Sequence, residues 1–111
     1  MNIYEKTNMR ENITYSSIKG GIINYTRQMA SYYGKKNIRI NSISPGGVIG
    51  PVQGVSKKQN KNFIRNYRQK VPIGRLAESS EIASVIAFLA SPAASYINGA
   101  NIMVDGGWSI I

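Results

Sequence analysis

Tyr15 and Lys19 stand four residues apart in the run Tyr15-Ser-Ser-Ile-Lys19. On a helix that spacing puts two side chains on one face, with Cβ atoms roughly 6 Å apart. A phenol ordinarily loses its proton near about pH 10 and is a poor acid–base catalyst at neutral pH. A neighbouring ammonium favours the phenolate and lets a tyrosine exchange a proton with a carbonyl or an alcohol. As a bare pattern this is weak, because Tyr32 and Lys36 repeat it. The second match straddles Gly34, where the helix should end, and reads as chance. Taken alone, even the first match describes a surface Tyr and Lys more often than a catalytic pair.

The absences narrow the chemistry further. The chain has no Cys and no His, so its sequence excludes thiolate or imidazole metal sites, disulfides and Ser-His-Asp or Cys-His triads. Its carboxylates are Glu5, Glu11, Glu78, Glu81 and Asp105. Acid–base work therefore falls to a carboxylate, a Tyr or a Lys. Hydrophobic residues make up 42% and charged residues 17% of the 111 positions, a balance that favours a globular chain over a disordered one. The net charge of +9 invites an anionic partner. The plainer reading is a compositional bias that also overuses Asn and Ile. The longest near-apolar run, Ala83 to Ala90, is too short to span a bilayer. The opening Met-Asn-Ile-Tyr-Glu-Lys lacks the apolar stretch of a secretory signal, so a cytoplasmic protein is expected.

The elements that must carry Tyr15 and Lys19 follow from periodicity. Residues 1–13 are polar and mixed and read as a loop. From Tyr15 onward, Ile18, Ile22, Tyr25, Met29 and Tyr32 recur at steps of three and four, one apolar stripe of a helix. Thr14 can cap its start, and Gly34 before Lys35 and Lys36 ends it. Gly20 and Gly21 inside it each cost roughly 1 kcal/mol against Ala, which suggests close packing there. Ile38-Arg-Ile-Asn-Ser-Ile-Ser44 reads as a strand stopped by Pro45-Gly-Gly47, and a Gly- and Pro-containing loop covers 45–58. A helix is expected over 59–70, with Phe63, Ile64 and Tyr67 as its apolar face. Ser79-Ser-Glu-Ile opens another, with Ile82, Val85, Ile86 and Leu89 inward and Pro92 at its end. Asn101 to Asp105 is a second short strand. Strand, helices and strand in one unit imply parallel pairing through a crossover.

The string Tyr15-Ser-Ser-Ile-Lys19-Gly-Gly-Ile resembles the active-site helix of the short-chain dehydrogenase/reductase family. Asn37-Ile-Arg-Ile-Asn41-Ser-Ile-Ser-Pro45-Gly46-Gly-Val48 resembles its sixth strand and Pro-Gly cofactor loop. Pro72-Ile-Gly-Arg75, Ser80-Glu-Ile-Ala83, Phe88-Leu-Ala-Ser91 and Tyr96-Ile-Asn-Gly99 follow in family order, and Val104-Asp105-Gly106-Gly107 resembles the closing signature. Each piece is modest; the ordered set over about nine-tenths of the chain is specific. The resemblance implies an α/β fold: 14–111 as the C-terminal portion of a doubly wound, Rossmann-like parallel sheet, with two strands and three helices. It also implies NAD(P)-dependent hydride transfer between an alcohol and a carbonyl. Tyr15 would be the general acid/base. Lys19 would bind the nicotinamide ribose hydroxyls and favour the tyrosine's phenolate. Pro45, Gly46 and Val48 would bring backbone groups against the nicotinamide carboxamide. Where the family often has a Thr that meets the cofactor phosphates, this chain has Gly50. Asp105-Gly106-Gly107 reads as a structural turn.

Three family features have no counterpart in residues 1–111: the Gly-rich dinucleotide fingerprint, the Asn-Ala-Gly element and the catalytic serine. Met1 then resembles an internal start in a split or truncated gene, and the expectation is that this chain alone is inactive. Because the acidic or basic selector belongs to the missing half, the cofactor is either NAD or NADP. Ile3-Tyr-Glu-Lys-Thr-Asn-Met9 resembles an insert in bacterial members associated with surface-glycan or flagellin modification, implying a sugar-derived substrate. The basic stretch Lys57 to Lys70 lies where the family places its substrate lid. It is a solvated helix face or a surface that attracts an anionic substrate. The alternatives from another class are a non-enzymatic remnant, or a nucleic-acid binder in which Phe63 and Tyr67 stack on bases. Against the latter, the same two residues sit at core spacing with Ile64. The family also implies a homo-oligomer for the intact enzyme, and neither a metal nor a membrane is expected.

Overall fold

The structure, a computed structural model, describes residues 13–51 and 59–111. The expected 1–13 loop, its glycan-type insert, and Lys57 and Lys58 of the basic stretch lie outside these residues, apart from the backbone of Ile13. Helix α1 spans Ile13–Gly34. Strand β1 is Ser42–Pro45, helix α2 is Lys61–Lys70, helix α3 is Ser79–Ala90 and strand β2 is Asn101–Val104. Single 3₁₀ turns follow α3 at Pro92–Ala94 and β2 at Trp108–Ile110. The two strands pair in parallel, Ser42 opposite Asn101 through Pro45 opposite Val104. Parallel partners need a long crossover between them, and here it carries α2 and α3.

The first helix ends at Gly34, as the sequence leads one to expect, but the reversal of the chain comes later. The left-handed position that reverses it is Asn37, with φ 58°. The N–H groups of Lys36 and Ile38 both return to the Tyr33 carbonyl, at 2.9 and 3.4 Å. Asn is the non-glycine residue best suited to that conformation.

The Ile-rich segment is a strand in its second half only. Before Ser42 the backbone is tied to a turn, not to a ladder. Ile40 N–H donates to Asn98 Oδ1 at 2.9 Å, Gly99 N–H donates to the Ile40 carbonyl at 2.8 Å, and Asn41 Nδ2 donates to the Ile97 carbonyl at 2.9 Å. Inside the ladder, Ser42 and Ser44 hydroxyls both donate to Asn101 Oδ1, at 2.9 and 3.0 Å.

Burial also departs from the apolar stripe read on α1. Ile18, Ile22, Tyr25 and Tyr32 are exposed, Ile18 at 60% and Tyr25 at 64%. The side chains that do go under are Thr26 and Ala30. They are small, and smallness is what the contact requires: a Cβ on Gly99 would lie 3.3 Å from the Ala30 Cβ. Asn98 Nδ2 reaches the Ala30 carbonyl beside it, at 3.1 Å. No close packing is found at Gly20 or Gly21, since a Cβ there would meet nothing among the described residues within 4 Å. On α3, Ile82, Val85 and Leu89 are half-buried as expected in direction, but Ile86 is 53% exposed. Two four-residue strands offer too little sheet to cover the whole helix.

The largest buried cluster is elsewhere: Tyr67, Val71 and Leu76, with Phe63, Ile64 and Trp108 packed against it. The amphipathic pattern of α2 produces it, and Asn60 caps that helix by accepting from Asn62 N–H at 2.8 Å.

Candidate active site

The first turns of α1 place Lys19 Nζ 5.5 Å from the centroid of the Tyr15 ring. The spacing therefore brings the pair onto one face, as predicted. It does the same for Lys36, which lies 5.4 Å from the Tyr32 ring although it stands beyond the helix end. Local geometry does not separate the two matches. Helix α1 packs on β1, and β1 runs at its C-terminal end into the loop that begins at Pro45.

That loop is held from one side by a single tyrosine. Gly46 N–H donates to the Val104 carbonyl at 3.0 Å, continuing the ladder past Pro45. Gly47 N–H donates to the Tyr67 hydroxyl at 2.6 Å. The Tyr67 ring stacks on Trp108, centroids 4.8 Å apart and planes 10° from parallel. Both glycines are needed for this approach: a Cβ on Gly46 would fall 2.8 Å from the Asp105 Cα, and one on Gly47 would fall 2.7 Å from Tyr67 Cζ. Tyr67 was read from sequence only as part of an apolar helix face; its hydroxyl positions the loop.

Val48 forms a parallel bridge with Ala77. Ile49 N–H donates to the Ala77 carbonyl at 2.8 Å and Ala77 N–H to the Gly47 carbonyl at 2.9 Å. Those bonds belong to the residues flanking Val48, so Val48's own N–H and C=O face away from Ala77. On that other side the Val48 carbonyl accepts from Gln59 Nε2 at 2.9 Å. Gly50 N–H completes the contact by donating to Gln59 Oε1 at 3.3 Å. The loop thus receives a primary carboxamide through one backbone acceptor and one backbone donor. That chemistry fits the nicotinamide carboxamide, and Gln59 is a contact that sequence reasoning missed.

The closing signature behaves as a turn. Gly106 and Gly107 have φ of 65° and 89°, and a Cβ on Gly106 would come within 2.6 Å of Ile73 Cγ2. Asp105 accepts from Gly107 N–H at 3.0 Å and Ser109 N–H at 2.9 Å. The Ser109 side chain, followed by these backbone donors, holds its carboxyl below the usual carboxylate range. Arg75 and Glu81 form a two-pronged ion pair at 2.7 Å on each arm. Glu81 also accepts from Glu78 N–H at 2.8 Å, tying the start of α3. The hydrogen bond from Arg75 and that from the Glu78 backbone bring the Glu81 pKa down to about 2. A cavity of about 280 Å³ lies between this pair and the loop, lined by Gly46, Gly47, Tyr67 and Asp105. Among the described residues there is no cluster of three or more Asp, Glu, His or Cys side chains able to hold a metal. No described helix is long and apolar enough to cross a membrane.

Comparison with known proteins extends the motif set to the whole chain. A family profile described as enoyl-(acyl carrier protein) reductase matches residues 2–109. The meso-2,3-butanediol dehydrogenase of Serratia marcescens is 42% identical over 93 residues, 84% of this chain and 36% of that enzyme. A short-chain dehydrogenase of Leptospira borgpetersenii, solved with bound NAD+, superposes with a TM-score of 0.77 at 36% identity, over 87% of this chain and 35% of that one. A 4-hydroxyisoleucine dehydrogenase in complex with NADH gives 0.79 at 34% identity, over 87% and 40%. The chain thus spans two-fifths or less of the length of these relatives. With α2 and α3 bridging two parallel strands, and the family's sequence carried from residue 2 to residue 109, the chain belongs to the short-chain dehydrogenase/reductase family.

Proposed function

We propose that Tyr15 and Lys19 are the acid–base pair of an NAD(P)-dependent oxidoreductase acting between an alcohol and a carbonyl. The observation that carries this reading is the continuous family match through the Tyr15 helix. That match runs through both pairs, and the reading prefers Tyr15 and Lys19 over Tyr32 and Lys36, which share the geometry, because only the first pair is followed by the Gly-Gly-Ile of the resembled active-site helix. In this reading the Tyr15 hydroxyl gives a proton to the substrate oxygen or takes one from it. The Lys19 ammonium favours the phenolate and hydrogen-bonds the ribose hydroxyls. Backbone groups of Pro45, Gly46 and Val48 orient the carboxamide, with the Gly50 N–H as a further donor, and Tyr67 keeps that loop in place. NAD or NADP, when bound, supplies or accepts the hydride. NAD-bound and NADH-bound relatives support the cofactor class.

The substrate is a small alcohol or carbonyl compound; the cationic surface of Lys61, Arg65 and Arg68 on α2 favours an anionic one, and the resemblance of residues 3–9 to the glycan-type insert favours a sugar-derived one. The active species is a cytoplasmic homo-oligomer. The 111 residues alone carry no dinucleotide fingerprint and are inactive without a dinucleotide-binding half. Joining residues 14–111 to that half of the Serratia relative tests the assignment. Tyr15→Phe should lower kcat by about 10²- to 10⁴-fold, with Tyr32→Phe nearly silent; near-normal turnover in the Tyr15 variant would sink it. Replacing Lys61, Arg65 and Arg68 with Gln should raise KM for an anionic substrate, more at low than at high ionic strength. A KM change insensitive to salt removes the anionic-substrate reading.

A further inference from the structure

The residues facing the Val48 side of the loop include one that the reaction does not use. Gln59 has the same functional group as nicotinamide, a primary carboxamide. Its two ends are already engaged: Nε2 on the Val48 carbonyl at 2.9 Å and Oε1 on the Gly50 N–H at 3.3 Å. Both bonds lie on the face of Val48 opposite its bridge to Ala77, the face left for a ligand once the Ala77 bonds are made. A carbonyl oxygen has two lone pairs, but an N–H has one hydrogen to give. A second carboxamide needing the same donor and acceptor must therefore displace the first.

We infer that Gln59 is an internal competitor for the nicotinamide end of the cofactor, docking its own carboxamide on Val48 and Gly50 until the cofactor removes it. The inference rests on the proposed role of the Pro45–Val48 loop. Gln59 immediately precedes Asn60, the N-cap of α2. Release of its side chain therefore occurs at the entrance to the helix that carries Tyr67. The competition lowers apparent affinity by the fraction of molecules in which the loop is closed by Gln59.

A structural role for the same contact predicts the opposite sign, which makes it testable. If Gln59 only braces the loop, removing it loosens Val48 and weakens any carboxamide ligand. If Gln59 competes, removing it strengthens binding. The full chain, labelled with ¹⁵N, is titrated with nicotinamide while the Val48 and Gly50 amide resonances are followed. Nicotinic acid, which lacks the N–H donors, serves as the control probe.

Gln59→Ala should tighten nicotinamide by about three- to tenfold, the size of one net hydrogen bond. Gln59→Leu should tighten it as well, because an apolar side chain neither donates to the Val48 carbonyl nor accepts from the Gly50 N–H. In the unsubstituted chain, nicotinamide should shift the Gln59 side-chain NH₂ signals toward those of a solvated glutamine. Equal or weaker affinity in both variants, with nicotinamide still bound, overturns the competition and leaves the loop assignment standing. No response to nicotinamide in any of the three proteins overturns both. Gln59 NH₂ signals already at the solvated position in the free chain overturn the contact outright.

Discussion

The two regions that frame the candidate site are built on different principles. Tyr67 is held on several sides within the chain: Gly47 N–H on the hydroxyl, Trp108 on the ring face, Val71 and Leu76 buried beside it. The first three turns of α1 differ in burial. Tyr15, Ile18, Ile22 and Tyr25 form an exposed row, and the helix is anchored only further along, where Thr26 and Ala30 are buried. The radius of gyration, 16.1 Å, exceeds the ~13 Å of a compact chain of about 100 residues. The loop that would orient a cofactor is therefore held by the chain's own core. The helix that would perform proton transfer is rigid in itself but poorly covered, and its apolar row has the character of a surface awaiting cover.

Substitutions can break that contrast. The largest effect should come from Tyr67→Ala, which removes a buried ring, its stack on Trp108 and the anchor of Gly47. A loss of about 3–5 kcal/mol is the scale for deleting a buried aromatic, and urea unfolding followed by Trp108 fluorescence measures it. Ile18→Ser, on an exposed position of α1, should change the same quantity by less than about 0.5 kcal/mol. Comparable losses at both positions would show that the α1 row is covered in solution.

A smaller effect separates the regions by pH. Glu81 titrates near 2 in the fold and near about 4.3 in an unfolded chain. A carboxylate whose pKa is depressed stabilises the fold above its unfolded pKa, and that contribution is lost as pH falls toward the folded value. Stability should therefore decline between about pH 4.5 and pH 2. The decline should be shallower in Glu81→Gln, as read by thermal melts across that range. The pair is solvent-exposed, so the difference should be small. An unchanged slope in the variant would remove the ion pair from any account of acid sensitivity.

Much of this was legible in the residues, and the omissions have physical reasons. The two helices after residue 59 were read to within two residues, because an amphipathic period and an N-cap are local signals. The strand at 38–44 was right in kind but begins at Ser42, since its first residues are claimed by Asn98 and Gly99, far away in sequence. The buried face of α1 was misread because apolar periodicity weighs large side chains, whereas Thr26 and Ala30 are chosen for close approach. Tyr67's hydroxyl and Gln59's carboxamide were invisible for a related reason: their partners are loop backbone groups, which carry no sequence signature. Tyr15 and Lys19 were found only because flanking motifs separated them from Tyr32 and Lys36.

The turn that fastens α1 to the strand has a consequence for the chemical lifetime of the protein. Asn98-Gly99 is the only Asn-Gly dipeptide in the chain, the pairing most prone to cyclise and deamidate because glycine leaves its nitrogen accessible. In the fold that nitrogen is engaged, donating to the Ile40 carbonyl at 2.8 Å, and the Asn98 side chain is held at both ends by Ile40 N–H and the Ala30 carbonyl. Ageing at this turn is accordingly gated by unfolding. Once deamidated, the side chain would set a carboxylate against the Ala30 carbonyl, so each excursion from the native state would leave some molecules unable to return. At one temperature and pH, the chain unfolded in urea should accumulate the deamidated peptide faster than the folded chain. Equal rates would show that the turn gives the dipeptide no protection.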